Sequence, residues 1–365
     1  MPVLTLVHDP DAAWLPEGGV AEVVLADSGE EMPGPVGLVR LQITDDAGRI
    51  FCMARSGGRP GWDLPTALVG SADPVVVIDD LTVAVFGTQQ PVVLVGAVRN
   101  VSLAEGDYEW PSPVAYFCVY RPTTSSPPVV EGVWLTPVEA AVELYERHWW
   151  PLVTVDADAV RELSEELQIA WGYWLDGTDR DRVRVVDSAV EALVVGLDSP
   201  SLRELAGVDK DASWGEIDNL ILRIVDELGV PHPTEESSLR LDLRRRSAKV
   251  LVGEVEPIDL AAWGHRRVGH DGPADLRALT LLDEEYTFLE EVVPYWVVED
   301  RPAQMEALDR VVRDLAAAVV EGETDLSRFV PERWVTDAAR TVGTAKPSPL
   351  SRVLKRCRLW GRNDA

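Results

Sequence analysis

Residues 62–87 read WDLPTALVGSADPVVVIDDLTVAVFG, and this stretch decides the fold. It opens on a corner, Trp62-Asp63-Leu64-Pro65, and closes on an apolar segment of helical length, residues 74–87, whose only acids are the neighbours Asp79 and Asp80. Consecutive helical residues point about 100° apart. These two carboxylates therefore cannot converge as residues spaced i, i+3 and i+4 do. The expectation is an apolar helix whose two acids are solvated.

Strand-like runs lie on both sides of this stretch. LTLVH (4–8), AEVVLA (21–26), GLVRLQIT (37–44) and RIFCMA (49–54) precede it, and VVLVGAVRNV (92–101) and VAYFCVYR (114–121) follow. All are rich in β-branched or aromatic residues and are bounded by turn formers. Residues 45–48 form a hairpin loop, and residues 105–113 an acidic, aromatic loop. A short strand at 132–135 leads into a helix with Thr136 as N-cap and Pro137 at its first position. Strands flanking one or two helices make residues 1–153 an α+β domain.

The order strand, GWDLP, helix, LVGAVRN, VAYFCVYR, GVWL and helix is similar to the Nudix hydrolase domain over roughly residues 35–150. The residues that carry the resemblance are Trp62 to Pro65, Arg55 before them, and Trp134 followed by the helix at 137–145. It implies a mixed-sheet α+β fold in which residues 74–87 stand where the family has its catalytic helix. The family follows its proline with two glycines and then with an arginine and three glutamates. This chain has Thr66 and Ala67, and then PVVVIDDLTVAVFG. Nudix chemistry needs several carboxylates converging on Mg²⁺ to neutralise a diphosphate and activate water. The resemblance thus implies a domain that has lost catalysis and serves as a ligand-sensing or protein-binding module. No cofactor is expected; Mg²⁺ enters only under the alternative of a divergent hydrolase of nucleoside diphosphate derivatives, and the other alternative is a purely structural or interaction protein. If a ligand pocket survives, Trp62, Tyr116 and Trp134 are candidates to stack a flat ligand, with Arg55 and Arg99 to hold an anion. The competing reading of each aromatic is ordinary core packing.

Two segments imitate the missing pieces. Trp14 to Gly19, WLPEGG, lies before the strands that should precede it and reads as a turn. Residues 161–166, RELSEE, place Glu162, Glu165 and Glu166 on one helical face as a possible metal site. They follow the domain's last helix, and the same pattern describes any amphipathic surface helix.

From about residue 156 the period changes to 3.6. Val160, Leu163, Leu167, Ala170, Trp171 and Trp174 form one apolar stripe. Ser213 and Glu216 make a capping-box pattern ahead of Ile217, and Gly229 closes that helix. Further helices are expected at 186–197, 235–252, 257–267, 274–291 and 303–321. An acidic all-helical domain over 156–335 follows from this, and WGHRRVGHDG with LLDEEY is similar to a recurring bacterial helical domain. His265 and His270, with the acids at 283–285, are a second possible metal site. Their spacing of five does not put them on one helical face.

The net charge is -28, with acids in excess through both halves. Such a body repels phosphate backbones and disfavours broad nucleic-acid binding, leaving a small molecule or a protein as the expected partner. The exception is a basic tail, 340–365, in which Lys346 to Arg362 mix apolar residues with six bases and read as an amphipathic or disordered segment. Cys52, Cys118 and Cys357 form no CxxC pair, which fits a reducing cytoplasm. The N-terminus lacks a secretory pattern, and no apolar run is long enough to span a membrane. Phosphate-loop, dinucleotide-binding, nucleophile-elbow and HExxH motifs are absent from the sequence.

Overall fold

The apolar runs become β1 (Thr5–Asp9), β2 (Val20–Leu25), β3 (Val36–Leu41) and β4 (Ile50–Ala54). The corner itself contributes two short strands, β5 (Trp62–Asp63) and β6 (Thr66–Leu68). Then come α1 (Pro74–Phe86), β7 (Val92–Val101), β8 (Val114–Pro122), β9 (Val133–Leu135), α2 (Pro137–Glu143) and α3 (Trp150–Thr154). The computed structural model describes residues 4–10, 12–26, 34–55, 60–102, 108–124, 126–177, 179–292 and 301–330. Cys357 and the basic tail lie outside these residues.

The main sheet has the order β1-β2-β7-β8-β3-β6, and a smaller one the order β5-β4-β9. β3 and β8 run parallel, and the other pairs are antiparallel, so the main sheet is mixed. The loop at 45–48 is built as expected: the Asp45 carboxylate accepts the backbone N–H groups of Ala47 and Arg49, and Gly48 sits at φ 73°. Its two arms nonetheless diverge, β3 into the main sheet and β4 into the smaller one.

Alternation sends successive side chains to opposite faces, so each central strand is apolar on both. Val24, Val39, Leu41, Ala97 and Cys118 pack with Ile78, Leu81, Val85 and Phe86 of α1. Their neighbours Val23, Leu25, Leu38, Val98, Phe117 and Val119 pack on the other face with Leu144, Trp149 and Leu152. α1 is started by Asp73, whose carboxylate accepts the Val75 N–H, and ended by Gly87 in the left-handed region at φ 77°. In α2, Thr136 and Glu139 form a reciprocal capping box behind Pro137.

Helices α4 (Ala157–Leu175), α5 (Arg182–Val195), α6 (Pro200–Ala206) and α7 (Trp214–Leu228) follow, then α8 (Glu235–Leu251), α9 (Pro257–Val268), α10 (Arg277–Thr287) and α11 (Arg301–Val320). A mixed sheet region followed by many helices makes the chain α+β. α10 is entered by a 3₁₀ turn, Ala274–Leu276, and left by a π turn, Phe288–Val292. Ser213 caps α7 by accepting the Glu216 N–H, and Gly229 ends it. α3 and α6 are additional to the expected helices, although Ser199 and Pro200 start α6 with a regular N-cap signal.

The expected boundary near 153–156 is corrected by the core. Contacts divide the chain into Met1–Ser238 and Leu239–Ala365. One continuous cluster runs from Val23 and Phe117 of the sheet through Val160, Trp171 and Trp174 of α4 to Ala189, Leu202 and Ile221 of α5 to α7. The loop before α6 also extends the sheet edge, since His8 donates its backbone N–H to Asp198 and Asp198 donates to Leu6. The change of period marks where strands give way to helices, and the core continues past it. In the second unit, Leu243, Leu260, Trp263, Leu279, Leu282, Tyr286, Leu308, Val312 and Leu315 form a separate core. Among the described residues, no helix is long and apolar enough to cross a membrane.

Candidate functional site

The Trp62 to Pro65 corner is held by its aspartate. Asp63 Oδ1 accepts the Leu64 N–H at 2.9 Å and the Trp149 indole N–H at 3.0 Å, and Arg40 Nε stands 3.7 Å away. Arg147 Nη2 donates to the Trp62 carbonyl at 2.9 Å, and Thr66 Oγ1 donates to the Leu64 carbonyl at 2.7 Å. Gly61, at φ 91°, lets Arg147 approach, since a Cβ there would lie 3.2 Å from Nη2. Leu64 is buried and Trp62 packs partly into the same core. The corner thus ties β5 to the turn between α2 and α3.

The same contacts concentrate positive charge. Arg40 shares a strand face with Leu38, so it points toward the Leu144 and Trp149 side of the sheet, where only 14% of its side chain is exposed. Its Nε and Nη1, and Nε of Arg147, are buried without a hydrogen-bond partner. Each such donor costs about 1–3 kcal/mol. Burial draws the pKa of Arg40 below its ordinary value; Asp63 opposes this and Arg147 adds to it. A guanidinium stays charged nonetheless, so Arg40 and Arg147 are two cations around Asp63, with Asp9 also close enough to act on the adjoining His148. His148 stacks on Trp14 with ring centroids 3.4 Å apart. The residue as a whole is exposed, yet burial of its ring and then the charges of Arg40 and Arg147 hold its pKa down to about 4. At neutral pH it is an uncharged neighbour of the two arginines.

The five residues expected to hold a ligand are not gathered around one pocket. Arg55 is half-buried, and its backbone N–H pairs with the Gly61 carbonyl. Arg99 lies in a cross-strand row with Glu22, Tyr116 and His8. Glu22 accepts from Arg99 and meets the His8 ring at 3.1 Å. Burial pushes the Glu22 carboxyl up, but His8 and Arg99 outweigh it and hold the pKa below its ordinary value. Arg99 is raised in turn by Glu22 and Tyr116 against its own burial. Its charge is therefore already answered. Trp134 packs on Phe51 with centroids 5.4 Å apart, beneath the Arg49 guanidinium. Tyr116 and Trp134 belong to the core on the α1 side, and Trp62 to the opposite one. Arg40, Asp63, Arg147 and His148 carry the cluster instead. The available signal was a lone arginine inside the apolar run GLVRLQIT.

The residues of α1 do not fit Mg²⁺. Asp73 is used as the helix cap, Asp79 and Asp80 are adjacent, and the outer face of the helix carries exposed valines, Val75, Val76 and Val83. Glu162, Glu165 and Glu166 lie on α4, whose inner face is bound into the core by Val160 and Leu167. Among the described residues, one set of His, Cys, Asp and Glu side chains brings three ligand atoms within 4.8 Å of one another. It is His265, His270 and Glu284, and the three glutamates are not such a set.

No protein-family model matches this chain, and no curated protein matches it either.

Proposed function

We propose that the sheet of the first unit is a Nudix-like domain converted from hydrolysis to binding, and that its ligand is a small anion-bearing molecule received by Arg40 and Arg147. The observation that carries the first half is α1, which keeps a capped helix against β3 and β6 while presenting valines in place of converging acids. Unpartnered N–H groups on two neighbouring guanidiniums support the second half. Such donors are suited to a phosphate or carboxylate, which a guanidinium meets with paired, charge-assisted hydrogen bonds. The neutral His148 and the exposed Trp14 ring offer a flat surface at the rim of the cluster.

Titration of the full chain with pyrophosphate tests this assignment. Saturable binding that Arg40→Met weakens by about tenfold or more is the expected result, given the 1.5–3 kcal/mol of a hydrogen bond to a charged group. Absence of binding, or binding indifferent to Arg40 and Arg147, contradicts it.

A second reading, a protein partner seated on α1, is favoured by one observation. Val76 and Val83 are seven residues apart on the helix, and 53% and 45% exposed. Val76→Glu should abolish partner capture and leave pyrophosphate binding unchanged.

A further inference from the structure

We propose that His265, His270 and Glu284 form a site for a divalent transition-metal ion, Zn²⁺ by donor chemistry, with Asp283 orienting His265. The spacing of the two histidines argued against a shared site, and the backbone explains why they meet. α9 ends at Val268, and Gly269, at φ 61° and ψ −169°, turns the chain so that His270 folds back beside His265. The two rings stand edge to face with centroids 5.1 Å apart.

α9 and α10 are then held close enough for α10 to supply the acids. A Cβ at Gly264 would lie 2.5 Å from Leu279 Cβ, so this glycine permits the helices' approach next to His265. Thr280 Oγ1 donates to the Gly269 carbonyl at 3.0 Å, and Arg277 donates to the His270 carbonyl at 3.3 Å, fixing the turn. Asp283, one turn beyond Leu279, meets His265 Nδ1 at 2.6 Å. Glu284 Oε1 lies 3.5 Å from His270 Nε2.

These contacts have the form of a metal centre. Ligands about 2.1 Å from a tetrahedral ion stand about 3.4 Å from one another, close to the His270 to Glu284 separation. The three ligand atoms already lie within 4.8 Å of one another, a gap that side-chain rotation closes. Asp283 takes the Nδ1 edge of His265 and leaves Nε2 as the donor, the carboxylate–histidine–metal arrangement that fixes both tautomer and ring orientation. Two imidazoles and a carboxylate suit Zn²⁺ and its neighbours, whereas Mg²⁺ and Ca²⁺ favour all-oxygen shells. Partial exposure of His265, His270 and Glu284, at 31%, 64% and 26%, gives an ion access and leaves a coordination position for water. The site belongs to the second unit and does not depend on the binding function proposed for the first.

Calorimetric titration of untagged, metal-stripped full-length protein with Zn²⁺ tests the proposal. One ion per chain is expected, with His270→Ala and Glu284→Gln each weakening it about tenfold or more and Asp283→Asn by about 10–100-fold. Co²⁺ should give the visible absorption of a tetrahedral site, and His270→Ala should remove it while circular dichroism stays unchanged. Failure to bind an ion stoichiometrically, or binding unaltered in a His265→Ala/His270→Ala variant, overturns the assignment.

Discussion

Asp63 accepts the indole N–H of Trp149 at 3.0 Å across 86 residues of sequence, and that bond fixes the Trp62 to Pro65 corner against the helical turn behind the sheet. The carboxylate also receives the Leu64 N–H and faces Arg40, so it joins β5, β3 and the start of α3. The corner is thus held by a structural requirement of its own, independent of any acid on α1.

Asp63→Ala should therefore destabilise the protein by about 2–3 kcal/mol, because it strips a partner from a buried guanidinium and from an indole N–H. Trp149→Phe keeps an aromatic ring and removes the donor, at about 1–2 kcal/mol. Urea unfolding of the two variants measures both, and equal costs would count against Asp63 as the hub.

Arg40→Met should behave in the opposite way. Its buried charge has one ion-pair partner, met through Nε at 3.7 Å, and two nitrogens without a hydrogen bond, and well-packed apolar replacements of buried charges are commonly neutral or stabilising. Stability should remain within about 1 kcal/mol of the parent chain while pyrophosphate binding is lost. A large loss of stability would make Arg40 a structural residue.

The depressed pKa of His148 has a consequence for acid stability. With a folded value of about 4 against an ordinary value of 6.5, the unfolded chain binds more protons between those limits. Stability from this group is full above pH 6.5 and falls as the pH drops toward 4. Allowing for the solvent-exposed part of the residue, the loss should be about 1–2 kcal/mol. His148→Gln should flatten the stability profile in that window. Glu22, whose pKa is depressed by His8 and Arg99, contributes below it, as the pH falls under 4.5.

Gly264→Ala should force α9 from α10, since its Cβ would meet Leu279 Cβ at 2.5 Å. Overpacking of this kind costs about 1–3 kcal/mol. The same substitution should weaken Zn²⁺ binding by separating His265 from Asp283. Thermal unfolding with and without Zn²⁺ checks both effects, and an unchanged metal-induced shift would detach the glycine from the site.

Local signals in the sequence were largely sufficient for the elements. Thr136 with Pro137, Ser213 with Gly229, and the apolar run at 74–87 each specify a helix through its own caps or composition, and each forms. What escaped depends on contacts between distant residues. The unit boundary moved from 153–156 to Ser238 because Val160 and Trp171 continue the core of Val23 and Phe117, a relation periodicity does not encode. Arg99 was expected to be available and is answered by Glu22, its cross-strand neighbour from β2. Arg40, hidden in an apolar strand, became conspicuous only through its unpartnered nitrogens. A spacing of five places His265 and His270 on no common helical face, and they meet because Gly269 ends α9 between them and turns the chain back.

The central claim, binding without hydrolysis in the first unit, is tested most directly by phosphorus NMR of a nucleoside diphosphate derivative mixed with the full chain and Mg²⁺. The expected result is broadening and shift of the diphosphate resonances, absent with Arg40→Met, and no monophosphate signal after prolonged incubation. A metal-dependent monophosphate signal that Glu165→Gln abolishes would contradict the account.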